Sequence, residues 1–491
     1  MRFIRPAATA ALTALLLLSA GCATTGGVYD EAEPFLIEEP TLTPEEQQAL
    51  VQDSQPAEET ASTMAEGEVP LNVPEPEPAA HTDSKTLQEM IVEGRPLQRS
   101  EVISSLVAEA RTQLRDVELE YVFTGKGKKE VLRGRPVAFA LWSEKNNSWT
   151  IAHIEIPRPP VKWTPGGKPI AFLVRTPGIQ ARHIKGTGAE RLMFAFTKDG
   201  EDLKVYGRKF PAFDDALIKK KQWRAVAATA RPIIYLPFTE DTLDPQFVSG
   251  GKEFLLSTAR KALDELRQAN APSMAFKGEL LSDIVPAEVL TTLAVIEQTD
   301  DSDFIKKKQD AVDEVLNHYG LKREEAFRYS VSTAAALGPM QFTNRRGNGT
   351  YALTVRRCPA ANIDPNFERG ATNLLNAMKA AICLFDIELS QMRADIRDAY
   401  RSNLQVMGIF PVAAYNGGPK NVNKLYNVMK KMKVKLEELT RPGEMPEGKK
   451  VTCPCLWRET LTGVLPMSIP KYNNENRGYI EKYQSILSVF E

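Results

Sequence analysis

Pro286-Ala287-Glu288-Val289-Leu290-Thr291-Thr292-Leu293-Ala294-Val295-Ile296-Glu297 decides how the C-terminal half of this 491-residue chain is read. Proline suits the first turn of a helix, because the N–H it lacks would find no intrahelical partner there. Leu290, Leu293 and Glu297 then follow at i, i+3 and i+7 and share one face. A carboxylate on an apolar stripe is out of place unless it is satisfied or functional. Burial and a place near the helix C-terminus both oppose ionisation, which marks Glu297 as a candidate general acid. Periodicity alone describes equally well a Glu that snorkels into solvent at a helix end.

Around this helix, the pattern is helical from about Ser249 to the C-terminus. Residues 254–268 form an amphipathic stretch that stops before Asn270-Ala271-Pro272, and further helices are predicted at 311–319, 371–389 and 422–432. The preceding stretch, 96–245, is mixed. Val102, Leu106, Ala110 and Leu114 give 100–119 a helical face. Residues 137–142 and 149–154 alternate like strands around a Lys145-Asn146-Asn147-Ser148 turn and predict a hairpin, with more strands at 170–174 and 192–196. Gly125-Lys126-Gly127-Lys128 lacks the spacing and the Ser/Thr of a phosphate loop and reads as a solvated hairpin tip. His153 and His183 read as packed strand residues rather than ligands.

Three more segments bear on Glu297. They are Gly338-Pro339-Met340-Gln341-Phe342, Ala413-Ala414-Tyr415-Asn416-Gly417-Gly418-Pro419 and Glu475-Asn476-Arg477-Gly478-Tyr479-Ile480. With the helix ending in Glu297, and in this order, they resemble the motifs of soluble lytic transglycosylases with the helical, lysozyme-like fold. Asn362-Ile363-Asp364-Pro365 followed by Gly370 is similar to that family's stretch before its long central helix. The resemblance covers roughly residues 280 to 491. It implies a mainly α lysozyme-like catalytic domain at 246–491; the mixed pattern before it predicts a β-rich accessory domain of unknown role at 96–245, which makes the chain α+β overall.

The resemblance also implies roles. Glu297 would protonate the glycosidic oxygen of peptidoglycan and then take the proton of the muramic acid C6 hydroxyl, closing a 1,6-anhydro ring without water. The substrate's own N-acetyl group would stand in for a second carboxylate. Met340 and Gln341 would line the cleft, Tyr415 would lie close to the reacting sugar, Asn416 would hold the loop or bind substrate, and Glu475 would reach the cleft from the last helix. No cofactor and no metal is implied. On composition alone, Tyr415-Asn416-Gly417-Gly418-Pro419 also reads as a helix stop and turn, and Met340-Gln341 as core packing. Two features depart from the family. Gln298 and Thr299 follow Glu297 where the family has Ser directly after the acid, and 41 positions separate Glu297 from Gly338. The excess length lies in a helical insertion at 306–330, which would cover the cleft, alter substrate choice or bind a partner. Asp300, Asp301 and Asp303 offer a second carboxylate for hydrolysis, or simply a solvated loop.

The N-terminus reads as an export signal. Arg2 and Arg5 precede an apolar run from Ala7 to Ala20, too short and wrongly flanked for a membrane span. Leu18-Ser19-Ala20-Gly21-Cys22 then resembles the lipobox of bacterial lipoproteins, although Ser19 is not the aliphatic residue usual there. That resemblance implies a signal peptide at 1–21, a lipid on Cys22, and, since residue 23 is Ala and not Asp, the periplasmic face of the outer membrane. Residues 22–95 follow as an acidic, Pro-rich linker. Fifteen Asp or Glu and no Lys or Arg fall between Val28 and Ser84, a composition that argues for disorder. The chain as a whole is near neutral at -1, so the remainder is basic, which suits an anionic polymer such as peptidoglycan. Nothing in the balance suggests nucleic acid, and no protein partner is indicated. Cys358, Cys383, Cys453 and Cys455 remain in an oxidising compartment. Cys453 and Cys455 sit too close to bridge each other easily. At least one bridge is expected, joining Cys358 or Cys383 to the Cys453/Cys455 pair.

Overall fold

Residues 134–157 set the first half of the fold. Val137, Phe139 and Leu141 alternate with Ala138, Ala140 and Trp142, and each set is buried on its own face. In the computed structural model these residues form β1 (Gly134–Ser143), paired antiparallel with β2 (Ser148–Pro157) in a register that sets Trp142 opposite Trp149 and Ser143 opposite Ser148. The predicted hairpin is therefore present, with both strands longer than expected. The structure describes residues 97–157, 172–186, 192–236, 238–332, 335–344, 347–402, 408–420 and 474–490, with the short stretches 422–423, 426–427, 457–460 and 463–466. Cys22, Cys453, Cys455, the export signal and the acidic linker, and most of the helix expected at 422–432, lie outside the described residues.

Five more strands complete a seven-stranded antiparallel sheet that nearly closes into a barrel. They are β3 (Leu173–Val174), β4 (Ile179–Lys185), β5 (Met193–Lys198), β6 (Glu201–Ala212) and β7 (Arg231–Tyr235), in the order β3-β2-β1-β6-β5-β4 with β7 added to β6. The longest, β6, pairs with β5 at its start, β1 along its middle and β7 at its end. Helix α1 (Arg99–Arg115) lays Ile103, Leu106, Ala110 and Leu114 on Ala138, Ala140 and Tyr206. A side chain on Gly207 would press into Leu114 and Ala110, so a glycine lets the helix approach the strand closely. The other face buries Phe139, Phe194, Phe196 and Tyr235, and there it meets Tyr329 and Leu337 from the C-terminal half.

The helical half begins at Asp244-Pro245, where the Asp244 side chain accepts the Gln246 N–H and proline occupies the first turn. The principal helices are α2 (Pro245–Gln268), α3 (Ala287–Gln298), α4 (Gln309–Lys322), α5 (Leu374–Ser390), α6 (Ile409–Gly417) and α7 (Asn474–Phe490). They share one core cluster. Helix α3 is apolar nearly all round, and α2, α4, α5 and α7 all pack against it. The stripe read from the sequence is thus part of a fully enclosed helix. The stretch expected as one helix at 371–389 is broken at Asn373, whose side chain caps α5 by accepting the Asn376 N–H at 2.9 Å. Sheet and helices belong to one compact unit, and the architecture is α+β.

One expectation is revised. Cys358 pairs with Cys383, with 6.4 Å between their α-carbons, and not with the Cys453/Cys455 pair. The short helix Thr350–Arg357 packs along α5, so that Cys358 at its end and the inward-facing Cys383 both fall in the core. The segment 306–330, read above as an insertion, is core as well as surface. Its helix α4 crosses α2 so closely that a side chain on Gly251 would strike the Leu316 carbonyl, and one on Gly320 the Phe247 carbonyl. Asn317 accepts the Asp244 N–H at 2.9 Å and donates to the Thr242 carbonyl at 3.0 Å. His318 Nε2 lies 2.9 Å from the Tyr235 hydroxyl, and Lys322 donates to the Leu236 carbonyl at 3.1 Å. The segment joins the sheet to the helices.

Candidate functional site

Glu297 stands in the last turn of α3 and is half-buried, whereas Val295, Ile296 and Gln298 beside it are buried. Its Oε1 accepts a hydrogen bond from the Tyr479 hydroxyl on α7. One turn further along α7, the buried Lys482 donates to the Thr299 carbonyl at 2.7 Å, at the C-terminus of α3. A cation is favourable at that end of a helix, where unpaired carbonyls concentrate negative potential. Helix α7 therefore grips both the side chain and the backbone of the turn that carries the carboxylate.

The Gly338–Gln341 loop is tied to the same turn. Gln298 donates its amide to the Pro339 carbonyl at 2.9 Å and the Gly338 carbonyl at 3.2 Å. Gly338 has φ +80°, and a side chain there would collide with the Ala371 carbonyl, so only glycine fits. Met340 is fully buried in the core, and its carbonyl accepts the Tyr415 hydroxyl at 3.1 Å. Gln341, at φ +50°, folds back onto its own loop and donates to the Gly338 carbonyl at 2.8 Å and Ser330 Oγ at 3.2 Å. Tyr415 and Asn416 lie in the last turns of α6, half-buried, and α6 stops at Gly418, which has φ +77°. The helix stop expected from composition and the tyrosine contact are thus properties of one segment.

Burial pushes the phenols of Tyr415 and Tyr479 well above their ordinary range, and the negative charge of Glu297 pushes both further. The two hydroxyls are therefore held neutral around one carboxylate. No family model, curated protein or solved structure matches this chain. What the site can do chemically follows from its groups. A half-exposed carboxylate at the edge of an apolar core, oriented by a neutral donor, is equipped to give and recover a proton.

Of the residues singled out in the sequence, Glu297, Met340 and Tyr415 are brought together, with Gln341 in the same loop. Glu475 falls in the first turn of α7, and its side chain lies outside the described residues. Asp300 Oδ1 accepts the Asp303 N–H at 3.2 Å, capping the short helix that follows α3. Among the described residues, no group of three or more His, Cys, Asp or Glu is arranged to hold a metal ion. Sequence reasoning assigned no role to Tyr479 or Lys482. The signal was the spacing of Tyr479, Lys482, Tyr483, Ile486 and Phe490, which together give α7 one buried face.

Proposed function

We propose that residues 246–491 form a peptidoglycan lytic transglycosylase with a lysozyme-like catalytic core, cleaving the β-1,4 bond between N-acetylmuramic acid and N-acetylglucosamine. The observation that carries this reading is the convergence on Glu297. Tyr479 from the last motif binds its carboxylate, Gln298 beside it holds the Gly338–Gln341 loop, and Tyr415 from the third motif closes onto that loop at Met340. Chance placement of separate motifs gives no reason for such a meeting.

In this reading Glu297 donates its proton to the glycosidic oxygen as the C1–O bond breaks. The substrate's N-acetyl oxygen stabilises the positive charge developing at C1. The Glu297 carboxylate then removes the proton of the C6 hydroxyl, and that oxygen bonds to C1 to close the anhydro ring. The acid is regenerated and no water is consumed. Gln298 takes the place of the serine that follows the acid in the resembling family, by an amide long enough to reach the loop. Asn416 and Glu475, from the third and last motifs, are assigned to substrate. A lipid on Cys22 would anchor the enzyme to the periplasmic face of the outer membrane.

The test is mass spectrometry of soluble products after incubating purified peptidoglycan with the protein. Anhydro ends, lighter than hydrolysed ends by one water or about 18 Da, support the proposal. Hydrolysed ends would make the protein a lysozyme, and binding without any product would make it an inactive envelope tether.

A further inference from the structure

Helix α2 carries two adjacent glycines with different reasons to exist. Gly251 lies at the crossing with α4, where a side chain would strike the Leu316 carbonyl. At Gly250 no such reason applies, since an added methyl would meet only the Arg323 Nη2 end, at 3.7 Å. A glycine inside a helix weakens it relative to alanine, because the unfolded chain has more freedom to lose. Packing offsets that cost at Gly251 and leaves it unexplained at Gly250.

Gly250 faces a cleft of about 490 Å³ between α1 and the α2–α4 pair, lined by Ser100, Glu101, Ser104, Gln246, Phe247 and Arg323 among others. None of the residues around Glu297 contributes to it. Its walls are held in place. The Ser100 hydroxyl donates to the Gln246 side chain, which in turn donates to Gln98, so the start of α1 is fastened to the start of α2. Arg323 has φ +51°, a costly conformation for a residue with a β-carbon, at a helix stop that glycine would make more cheaply. Its guanidinium is thereby brought to the Gly250 carbonyl at 3.2 Å and over the Phe254 ring. Only one of its five N–H donors is used by that carbonyl. Two departures from the locally cheapest residue, Gly250 and Arg323, meet at one cleft.

We propose that this cleft is a binding site for a neutral saccharide, separate from the site around Glu297. The lining chooses the class. One carboxylate and one guanidinium leave no net charge to select an anion or a cation. The exposed Ser104 hydroxyl, the second Gln246 amide N–H and the Arg323 N–H groups beyond the one on the Gly250 carbonyl supply donors and an acceptor, which a polyhydroxyl ligand can match and a hydrocarbon chain would leave unsatisfied. Phe247 and Leu321 give the less polar floor that a sugar ring covers. The proposal goes beyond the reaction at Glu297 and does not depend on it.

Calorimetric titration of the full chain carrying Glu297→Gln with the N-acetylglucosamine hexamer tests it. The expected result is a saccharide-binding event that Gly250→Leu weakens by at least about tenfold, with the melting temperature unchanged or raised. Ser104→Trp fills the cleft from the opposite, exposed wall and is expected to do the same, which guards against a folding effect of the Gly250 change. Binding that both variants leave unchanged, or no hexamer binding at all, overturns the proposal. If peptidoglycan incubation yields no anhydro products while hexamer binding still depends on Gly250, the cleft stands and the reaction at Glu297 falls. Anhydro products together with cleft-independent binding mean the reverse: the reaction stands and the cleft falls.

Discussion

In the sheet region, Glu155 on β2 is buried and receives the guanidinium groups of both Arg133 and Arg175. In the helical region, Glu297 on α3 receives a phenol, and the nearest element, α7, offers its cation to a backbone carbonyl of the same turn. A carboxylate between two arginines ties together the segments that carry them. A carboxylate oriented by a neutral hydroxyl can exist in either protonation state without stranding a partner. Burial alone does not separate these cases; what holds each acid, and whether it is open to solvent, differs between them. Asp386 on α5 is a joint of another kind, held by neutral donors. It accepts Ser273 Oγ and the Met274 N–H, each at 2.6 Å, in a fully buried place, and burial raises its pKa despite those bonds. It fastens a loop, and neutral donors on a carboxylate sealed from substrate leave it nothing to protonate.

The division between joint and reagent is tested most directly at Glu297. Glu297→Gln is nearly isosteric but cannot pass a proton. It is expected to keep the fold and lower release of anhydro-muropeptides by at least about 10²-fold, followed by chromatography and mass spectrometry of the digest. Asn at Asp300 or Asp303 is expected to cost far less. If an Asp variant is dead while Glu297→Gln is active, the reagent lies on the following loop.

The disulfide asks how much the helical region, unlike the sheet, depends on a staple. Cys358 and Cys383 are separated by 25 positions, and replacing either by Ala is expected to cost about 3.5 kcal/mol of unfolding free energy. Urea denaturation measures the loss. Alkylation of the unreduced, unfolded chain, with peptide mapping, would refute the pairing by finding a label on Cys358 or Cys383.

Tyr479→Phe removes only the hydroxyl that reaches Glu297. Turnover is expected to fall about tenfold with little change in KM, as for loss of an orienting hydrogen bond. The pH dependence has a definite sign. The phenols of Tyr415 and Tyr479 are raised in the folded state, so the folded protein binds protons more tightly than the unfolded chain. Their contribution to stability is complete below the ordinary phenol value of about 10 and is lost as pH rises above it towards the folded values. Thermal melts between neutral and strongly alkaline pH should therefore show a decline at the alkaline end that is smaller in Tyr479→Phe.

The smallest effect is expected in the sheet. Glu155→Gln leaves Arg133 and Arg175 with a neutral partner of the same shape. Because both arginines are more than a third exposed, solvent screening limits the cost to about 1 kcal/mol. Activity per folded molecule is expected to stay at the wild-type level. A large loss of activity in that variant would mean that Glu155, too, acts as more than a joint.

Much of this protein was legible in its residues because the relevant signals are local. Alternation at 137–142 and 149–154 marked the hairpin, since side chains on a strand must take opposite faces whatever lies beyond. The Asn-Asn turn, the stop at Gly418 and the Pro286 start follow from backbone sterics alone. Strands β4, β6 and β7 were not foreseen. In β6 the run Gly207-Arg208-Lys209 looks solvated, yet Arg208 is 1% exposed and Lys209 is satisfied by the Leu114 and Arg115 carbonyls at the end of α1.

What only the tertiary structure decided are matters of meeting. Cysteine spacing leaves pairing open, because a bridge depends on which helices lie side by side; the packing of Thr350–Arg357 along α5 put Cys358 beside Cys383. The insertion was readable as helical, but its role as the joint depends on Gly251 and Gly320 allowing α2 and α4 to touch. Tyr479 and Lys482 lie more than 180 positions from Glu297, and no local propensity connects them. Periodicity tells a residue which face it takes, and only the folded chain determines what that face finds.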